Sequence, residues 1–396
     1  MMVIHRNVIY YCIIVIVGCH GSKTIETSIS TALRAWESIR SPTTAGCSVQ
    51  FNKINFLEAI QQKCYIRGRP SDPPIHVAVV ACGGEDRVEE TIVNIKALVL
   101  FSTIRITFHV FADEELQPSF RDRIKKWPSY FRRQFTYTIY NITYPEDGQQ
   151  ENWRRLFKPC ASQRLFLPSI LQDVDSILYV DTDILFLSPV QEMWGEFDKF
   201  NSTQLSALSP EHEDPRVGWY SRFARHPYYG VTGVNSGVML MNLTRIRNAE
   251  FKSDLQESTM RWQQMLLPLY VKYSLNLTWG DQDLLNIIFH YNPEMLRMMP
   301  CNKNYRPDHC MYMQMCASTA HEGVRVMHGC RRSFHIDKWP TFRSVYAAVR
   351  DFHLCSPLPT LVQVLWDGLS RGPDTQCKLS SDVILRGLRR TIHGLL

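Results

Sequence analysis

Several features that mark other protein classes are absent from this sequence of 396 residues. It has no block of lysine and arginine, and 44 Lys+Arg against 38 Asp+Glu give a net charge of only +6, which excludes a nucleic-acid-binding arm. It has no internal repeat or low-complexity tract, and its hydrophobic content of 45% excludes a disordered chain. It lacks the repeated long apolar runs of a polytopic membrane protein, and its length excludes a small disulfide knot. A globular protein of one large domain or two remains.

The first 20 residues differ from the rest of the chain. His5 and Arg6 precede an unbroken apolar run over residues 8–19, which is shorter than the roughly 20 residues of a bilayer span. We favour an uncleaved type II signal anchor over residues 1–20, with a cleaved signal peptide and a buried N-terminal strand as alternatives. An anchor or a signal peptide delivers the chain to the ER/Golgi lumen, and the anchor makes it a single-pass membrane protein.

The patterns of asparagine and cysteine agree with a location in the lumen of the secretory pathway. Glycosylation sequons begin at Asn141, Asn201, Asn242 and Asn276. Of the 12 cysteines, ten follow residue 20 and five fall between residues 301 and 355. A zinc site is the alternative for this cluster, but uneven spacing without a CxxC pair favours disulfides, whose connectivity the sequence does not reveal.

The order of elements predicts an α/β fold. Residues 21–72 are polar and irregular and predict a lumenal stem. A continuous apolar run over residues 76–82 is typical of a strand buried on both faces. It leads through Gly83-Gly84 into a helical pattern from Val88 to Val99 and a strand over 106–111. This order of strand, glycine turn, helix and strand is typical of a parallel sheet.

The rest of the chain continues this pattern. Further strands are predicted over 136–140, 177–180, 184–187, 204–208 and 237–241, and helices over 162–171, 249–266 and 283–289. Ile384, Leu388 and Ile392 form one apolar face of a basic, helical C-terminal segment. We expect one catalytic domain over 73–349 and a helical packing tail over 350–396.

Three Asp-x-Asp triplets occur, and their contexts differ. Asp173-Val-Asp175 precedes a strand and is interpreted as a turn. Asp181-Thr182-Asp183 directly follows the strand over 177–180, at the edge where open α/β sheets bind ligands. Clustered carboxylate oxygens suit Mg²⁺ or Mn²⁺, which bridge to a diphosphate. A capping or turn role is the alternative.

The segment 178–184, Leu-Tyr-Val-Asp-Thr-Asp-Ile, resembles the metal-binding strand of the family 8 glycosyltransferases. These are retaining, nucleotide-sugar-dependent enzymes with the GT-A fold. The resemblance extends from about residue 76 to about residue 349. On longer segments over 210–220, 222–230 and 233–242 it is most similar to glucoside xylosyltransferases. It implies a Rossmann-like, mostly parallel central sheet flanked by helices.

The resemblance also implies a metal and nucleotide site. Asp181, Asp183 and His328 would bind Mn²⁺ or Mg²⁺, with Asp181 also contacting the ribose; a core histidine is the alternative for His328. The implied contacts to the nucleotide sugar further include Ala81, Cys82, Gly83, Thr182 and Gly329. A plain turn explains the glycines after the first strand almost as well.

The sugar-binding and phosphate-binding parts follow from the same resemblance. It places Arg164 near the phosphates or the active-site carboxylates. The donor sugar would be bound by Asn235, Ser236 and Gly237 and by the third Asp-x-Asp triplet, Asp281-Gln282-Asp283. Gln282 matches the residue nearest the anomeric carbon, but an amide is a poor nucleophile, so we expect a front-face displacement.

The sequence departs from the family pattern at one point. Many members carry a lysine six residues after the metal-binding histidine, where it holds the diphosphate. This chain has Phe334 there, and Arg331 and Lys338 are the alternative cations.

The resemblance implies transfer of xylose from UDP-xylose, in α1,3 linkage, to O-linked glucose on EGF-like repeats. The segment 219–229 is interpreted as an acceptor wall or as a packed aromatic loop. Another UDP-hexose transferase of the family and a catalytically inactive GT-A sugar-binding protein stay open. A haloacid-dehalogenase-type phosphatase is disfavoured, because Leu185 stands where that class has threonine or valine and the motif lies deep inside the domain.

Overall fold

The computed structural model describes residues 73–395 except 147, 157–159, 312–314, 355 and 372–375. The predicted anchor and stem lie outside the described residues. Within this range, none of the helices combines the length and the apolar surface that crossing a bilayer requires. One compact unit comprises residues 68–354 and 358–395.

Eleven strands are described. They are β1 (Ile75–Ala81), β2 (Ile106–Ala112), β3 (Phe135–Asn141), β4 (Ser176–Val180), β5 (Ile184–Phe186), β6 (Ser206–Pro210), β7 (Val234–Asn242), β8 (Glu250–Phe251), β9 (Met260–Arg261), β10 (Leu296–Met298) and β11 (Val326–His328). A seven-stranded sheet has the order β10-β6-β7-β4-β1-β2-β3. Because β7 alone among these strands runs antiparallel to its neighbours, the sheet is mostly parallel, as predicted. Two antiparallel pairs, β5 with β11 and β8 with β9, lie outside it.

The helices surround the sheet. They are α1 (Glu85–Phe101), α2 (Gln117–Lys125), α3 (Ser129–Arg132), α4 (Gln150–Arg155), α5 (Leu167–Ile170), α6 (Val190–Trp194), α7 (Trp219–Phe223), α8 (Leu243–Asn248), α9 (Trp262–Tyr273), α10 (Asp281–Tyr291), α11 (Asp308–Met311), α12 (Thr319–Glu322), α13 (Pro340–Asp351), α14 (Pro359–Arg371) and α15 (Ser381–Leu395). Short 3₁₀ segments connect several of them, including one over Ala161–Phe166.

The central strands are buried on both faces because helices cover the sheet. Ala78 and Val80 of β1 pack in one core with Leu266 of α9 and Ile288 of α10. On another side, α1 packs against β1 and β5. The long apolar runs of the sequence therefore become the interior of the sheet, and its carboxyl edge is left for polar residues.

Two predicted helices differ from the structure. The helix predicted over 249–266 is wrong in its first part, because residues 250–261 contain the β8–β9 pair and α9 begins only at Trp262. Ser253 Oγ accepts a hydrogen bond from the backbone N–H of Leu255, and such local bonds compete with a helix. The helix predicted over 162–171 is a 3₁₀ segment followed by the four-residue α5.

Three disulfides are described: Cys82–Cys160, Cys301–Cys316 and Cys310–Cys377. They confirm the preference for disulfides over a zinc site. Cys330 has no disulfide partner within the described part of the chain, so the loop after His328 is not shaped by one there.

The C-terminal helices pack onto the sheet domain. Ile384, Leu388 and Ile392 of α15 are buried, as their spacing predicts. The backbone N–H of Val324 donates to Val383 O, and Thr391 Oγ1 donates to Leu187 O at 2.7 Å. Thus α15 lies against the segments that enter β11 and leave β5.

Candidate active site

A cavity of about 430 Å³ lies at the carboxyl ends of β1 and β4. Eleven of the residues singled out from the sequence line it: Cys82, Arg164, Asp181, Thr182, Asp183, Asn235, Ser236, Asp281, Gln282, His328 and Arg331. Ala81, Gly83, Gly237, Gly329 and Lys338 do not line it. The fold thus brings together residues that are far apart in the sequence, such as Cys82 and Arg331, which are 249 positions apart. This happens because the strand ends of a mostly parallel sheet meet at one edge.

Asp181, Asp183 and His328 converge on one point. One ligand atom from each lies within 4.8 Å of the others. The two aspartates flank the turn between β4 and β5, and His328 is the last residue of β11, paired with Ile184 of β5. The small β5–β11 pair therefore places the imidazole beside Asp183, with Nε2 at 3.4 Å from Oδ1.

A chain of amides fixes which nitrogen of His328 faces the carboxylates. Asn235 Nδ2 donates to the carboxylate of Glu211 at 2.8 Å, which directs Asn235 Oδ1 to Asn304 Nδ2, also at 2.8 Å. Asn304 Oδ1 is then the acceptor for His328 Nδ1, 2.9 Å away. Because a carboxylate only accepts, the direction of the whole chain is set and Nδ1 carries a proton, which leaves Nε2 as the nitrogen that a metal could bind.

Gly237 gives the imidazole its space. A Cβ at this position would lie 2.3 Å from His328 Cε1. The backbone N–H of Gly237 donates to Asn235 Oδ1 and its carbonyl accepts from Asp181 N. Gly237 is therefore outside the cavity lining but in contact with two of the metal-ligand candidates.

Arg164 is the buried cation of the site. It forms ion pairs with Asp181 at 3.1 Å and Asp281 at 2.5 Å, and donates to Ser236 O at 2.5 Å. Its guanidinium lies 4.4 Å from the ring centroid of Tyr179. Burial alone would lower the pKa of Arg164, but the carboxylates of Asp181 and Asp281 raise it above its ordinary value. Arg164 therefore stays charged and orients both carboxylates.

Asp281 is almost fully buried, with 1% of its surface exposed. Burial raises the pKa of its carboxyl to about 6, with Arg164 acting in the opposite direction and Asp181 adding to the rise. Asp281 begins α10 directly after Gly280, whose φ of 65° suits a glycine.

Gln282, next in α10, faces the strand β7. Its Oε1 accepts from the backbone N–H of Ser236 at 3.0 Å and from Ser236 Oγ at 3.3 Å. Its Nε2 lies 3.3 Å from Tyr220 Oη, and Tyr220 donates to Asp283 at 2.7 Å. Asp283 also accepts from the backbone N–H groups of the two residues before Gly280. Asp283 is thus a positioning residue that holds the first turn of α10 against the cavity.

The disulfide Cys82–Cys160 joins the end of β1 to the start of the 3₁₀ segment that carries Arg164. Gly83 N donates to Asp113 Oδ2 at 3.0 Å, and Arg154 also binds Asp113. The segment 81–83, predicted to contact the nucleotide sugar, is therefore held by a covalent link and a buried carboxylate, and the Cys82 sulfur is engaged in the disulfide.

Sequence reasoning missed several cavity residues. Glu211 lines the cavity and lies in a segment used for the family resemblance, but carried no assigned role. Asn304 contacts His328 from outside the cavity lining and stands in no motif. Arg87, Arg306, Arg332, Trp279 and Asp308 also line the cavity. Arg87 lies in α1 and Asp308 begins α11, while the other three lie in connecting segments. Because these positions are distant in sequence, no local pattern could have identified them.

A mostly parallel α/β sheet, with an Asp-x-Asp pair and a histidine at its carboxyl edge, defines the GT-A class of glycosyltransferases. The model of glycosyl transferase family 8 matches residues 78–314, and this chain belongs to that family.

Named relatives refine this placement. The chain is 51% identical over 341 residues to glucoside xylosyltransferase 1 of Gallus gallus, covering 86% of this chain and 77% of that protein. It is 58% identical over 289 residues to glucoside xylosyltransferase 2 of Mus musculus, covering 72% of this chain and 64% of that protein. The crystal structure of the galactosyltransferase LgtC with donor and acceptor sugar analogs has a TM-score of 0.51 at 18% identity, covering 70% of this chain and 95% of that one. That likeness is one of fold.

Proposed function

We propose that this protein transfers xylose from UDP-xylose, with retention and in α1,3 linkage, to O-linked glucose on EGF-like repeats of glycoproteins. The observation that carries the proposal is the 51% identity to a glucoside xylosyltransferase over 86% of the chain. The cavity supports it, because it combines carboxylates, an imidazole, amides and aromatic rings in one place.

The donor set at the strand ends fits Mn²⁺ or Mg²⁺. Asp181 and Asp183 offer carboxylate oxygens, and His328 offers Nε2, whose lone pair is left free by the hydrogen bond at Nδ1. When bound there, such an ion supplies positive charge that offsets the charge of the departing diphosphate. Thr182 is held away from this group, since its hydroxyl donates to Glu90 at 2.8 Å.

The surroundings of Gln282 favour a front-face displacement. Both hydrogen bonds from Ser236 occupy its amide oxygen, which is already a weak nucleophile. In the proposed step the bond between the anomeric carbon and the phosphate oxygen breaks, and its electron pair goes to the phosphate. The acceptor hydroxyl oxygen bonds to the same face of that carbon, and its proton passes to the departing phosphate. Arg164 and Asp281 position the donor sugar through charged hydrogen-bonding groups.

The acceptor would bind along an aromatic wall formed by Trp219, Phe223 and Trp279. Trp219 and Trp279 line the cavity with ring centroids 6.4 Å apart, and Phe223 lies 5.3 Å from Trp219 and is 45% exposed. Flat rings at the rim of a polar cavity suit the apolar face of a sugar. The Arg222 guanidinium lies 4.7 Å from the ring centroid of Phe223, which is the cation–π contact that the packed-loop alternative predicts.

We place the protein in the ER/Golgi lumen as a single-pass type II membrane protein. Three disulfides among the described residues support an oxidising compartment. The apolar run over residues 8–19 supports an N-terminal anchor. Protease protection of the full chain in intact microsomes, together with its retention in the membrane pellet at alkaline pH, tests this placement. Release of the full chain into the supernatant would rule out the anchor.

The activity test uses purified protein, an O-glucosylated EGF-like repeat and UDP-xylose with Mn²⁺. We expect addition of one pentose, detected by mass spectrometry, with the linkage and anomer read by NMR. Activity that survives EDTA would overturn the metal assignment. Equal use of UDP-glucose would favour another UDP-hexose transferase, and UDP binding without turnover of any donor would favour an inactive sugar-binding protein.

A further inference from the structure

The loop after His328 contains two consecutive arginines in an unusual conformation. Arg331 and Arg332 have φ values of 58° and 61°, in the left-handed region that residues with a Cβ rarely adopt. Both side chains line the cavity, together with Asp183 and His328. Such backbone strain persists only where the surroundings impose it, and it concentrates at functional sites.

The surroundings of this loop do impose that conformation. Gly329 N donates to Asp183 O at 2.6 Å, and the carbonyl of Arg332 accepts from His335 N at 2.9 Å. The Phe334 ring packs over Gly329, where an added Cβ would lie 2.3 Å from it, and stacks on Tyr346 at 4.9 Å. Phe334 is therefore a buried anchor for the loop, and the loop in turn presents the two arginines to the cavity.

Five arginines line the cavity, and four of them have acceptors within the protein. Arg164 binds Asp181 and Asp281, Arg87 binds Glu90, and Arg331 binds Asp308 at 2.7 Å, while the buried Arg306 donates to backbone carbonyls. The guanidinium of Arg332 has no acceptor among the described residues, and Arg332 is exposed. It is the cavity arginine whose hydrogen-bonding capacity is left for a ligand.

Lys338, the other cation considered from the sequence, is placed differently. It does not line the cavity, and its Nζ lies 5.4 Å from the ring centroid of Trp339. Of the two cations considered from the sequence, Arg331 therefore lines the cavity and Lys338 does not.

We infer that Arg332, with Arg331 braced by Asp308, binds the diphosphate of the nucleotide-sugar donor and of the UDP product. A guanidinium is suited to this task because its planar fork matches phosphate oxygens. It stabilises the negative charge that collects on the β-phosphate as the bond to the sugar breaks. This inference rests on the proposed function, because it assumes a donor diphosphate near Asp181, Asp183 and His328.

The test compares variants of Arg332 in binding UDP with Mn²⁺ by isothermal titration calorimetry. Arg332→Ala should weaken UDP binding about 10- to 100-fold and reduce kcat by a similar factor, while UMP, which lacks the β-phosphate, loses less than 3-fold. Arg332→Lys should recover part of the loss, since it restores a charge without the fork. Arg133→Ala, which removes an exposed guanidinium outside the cavity, should bind UDP as the wild type does.

Arg332→Gly separates charge from backbone conformation. Glycine adopts the left-handed conformation freely, so this variant should fold with an unchanged or higher Tm and still bind UDP as weakly as Arg332→Ala. Wild-type affinity for UDP in Arg332→Gly, or an equal loss for UMP and UDP, would overturn the inference. A wild-type protein that binds UDP but transfers no xylose would instead overturn the proposed function and leave this inference intact.

Discussion

The side-chain oxygen of Asn304 accepts a hydrogen bond from Nδ1 of His328, 2.9 Å away. This contact orients the imidazole, because it assigns a proton to Nδ1 and turns Nε2 towards Asp183. The direction of the hydrogen bonds is set by Glu211, a carboxylate that cannot donate, through Asn235 and then Asn304. A residue without any recognisable motif therefore directs Nε2 of the histidine to the proposed metal site.

Replacing Asn304 tests this relationship directly. Asn304→Ala should weaken Mn²⁺ binding about 10- to 100-fold, the usual effect of removing a partner behind a ligating histidine. Mn²⁺ affinity can be measured by electron paramagnetic resonance on protein stripped of metal. Asn304→Asp keeps the acceptor for His328 Nδ1 but loses the donor to Asn235 Oδ1, so its Mn²⁺ affinity should lie between those of Asn304→Ala and the wild type. Unchanged affinity in Asn304→Ala would show that the imidazole orients itself without this partner.

Removing a carboxylate ligand should abolish the metal site. Asp183→Asn replaces a charged donor, so Mn²⁺ binding and xylose transfer should fall by at least about 100-fold, while Tm stays within a few degrees. The matched control is Asp173→Asn, which alters an exposed aspartate of the triplet that precedes β4. Substantial Mn²⁺ binding by Asp183→Asn would place the metal elsewhere.

Gly237→Ala should disturb the proposed metal site by displacing the imidazole of His328. The new Cβ would lie 2.3 Å from Cε1 of His328, so the ring must move away from its position between Asn304 and Asp183. We expect weaker Mn²⁺ binding, measured as above, and a loss of stability of about 1–3 kcal/mol from overpacking. Gly368→Ala serves as the control, because its Cβ meets only Ser344 at 3.8 Å. A Gly237→Ala variant with full metal affinity would contradict the crowding described here.

Loss of the Cys82–Cys160 disulfide should affect both stability and donor binding. The double variant Cys82→Ala/Cys160→Ala should lose about 2–4 kcal/mol of stability, since the bond closes a long loop. The KM for UDP-xylose should rise more than kcat falls, because the link positions the segment that carries Arg164. Steady-state kinetics well below the Tm of the variant measures this ratio. An unchanged KM in a folded variant would assign the disulfide to stability alone.

Protonation of Glu196 should account for part of the stability that the folded protein loses in acid. Burial would raise its pKa, but hydrogen bonds from Lys199 and Lys303 lower the pKa from 4.5 to about 2. The stabilisation is therefore present above pH 4.5 and is lost as the pH falls from 4.5 towards 2. Glu196→Gln should destabilise the protein by about 3 kcal/mol at pH 7, with a smaller difference at pH 4. Urea unfolding at the two pH values measures it, and a difference independent of pH would contradict this account.

Much of the fold follows from local patterns in the sequence. The strands β1, β2, β3 and β4 agree with their predicted positions within one residue at every end, because buried apolar runs are unambiguous when they alternate with helical patterns. The antiparallel direction of β7 could not be predicted from the sequence pattern, because its pairing with β4 and β6 depends on the path of the connections between the strands. The β8–β9 pair was missed because two-residue strands carry no periodicity.

Some residues of the site could likewise be predicted from the sequence, and others could not. Asp181 and Asp183 could be placed from the sequence because they directly follow a recognisable strand. Asn304 and Arg332 could not, because their roles depend on contacts between the loop before α11, the loop after β11 and the strand ends. The choice between Arg331 and Lys338 needed side-chain positions, which no spacing rule supplies.

The contact of α15 with the β5–β11 pair has a practical consequence. Asp183 directly precedes β5 and His328 ends β11, so both lie at the same end of this antiparallel pair, and the opposite end packs on a helix that begins only at Ser381. A Cβ on Gly387 would lie 2.0 Å from Val324 O, so helix and strand entry fit without spare room. We therefore expect the minimal catalytic unit to extend through α15, beyond the predicted boundary at residue 349, because a protein ending there would retain every proposed ligand yet lack the support that keeps them in register.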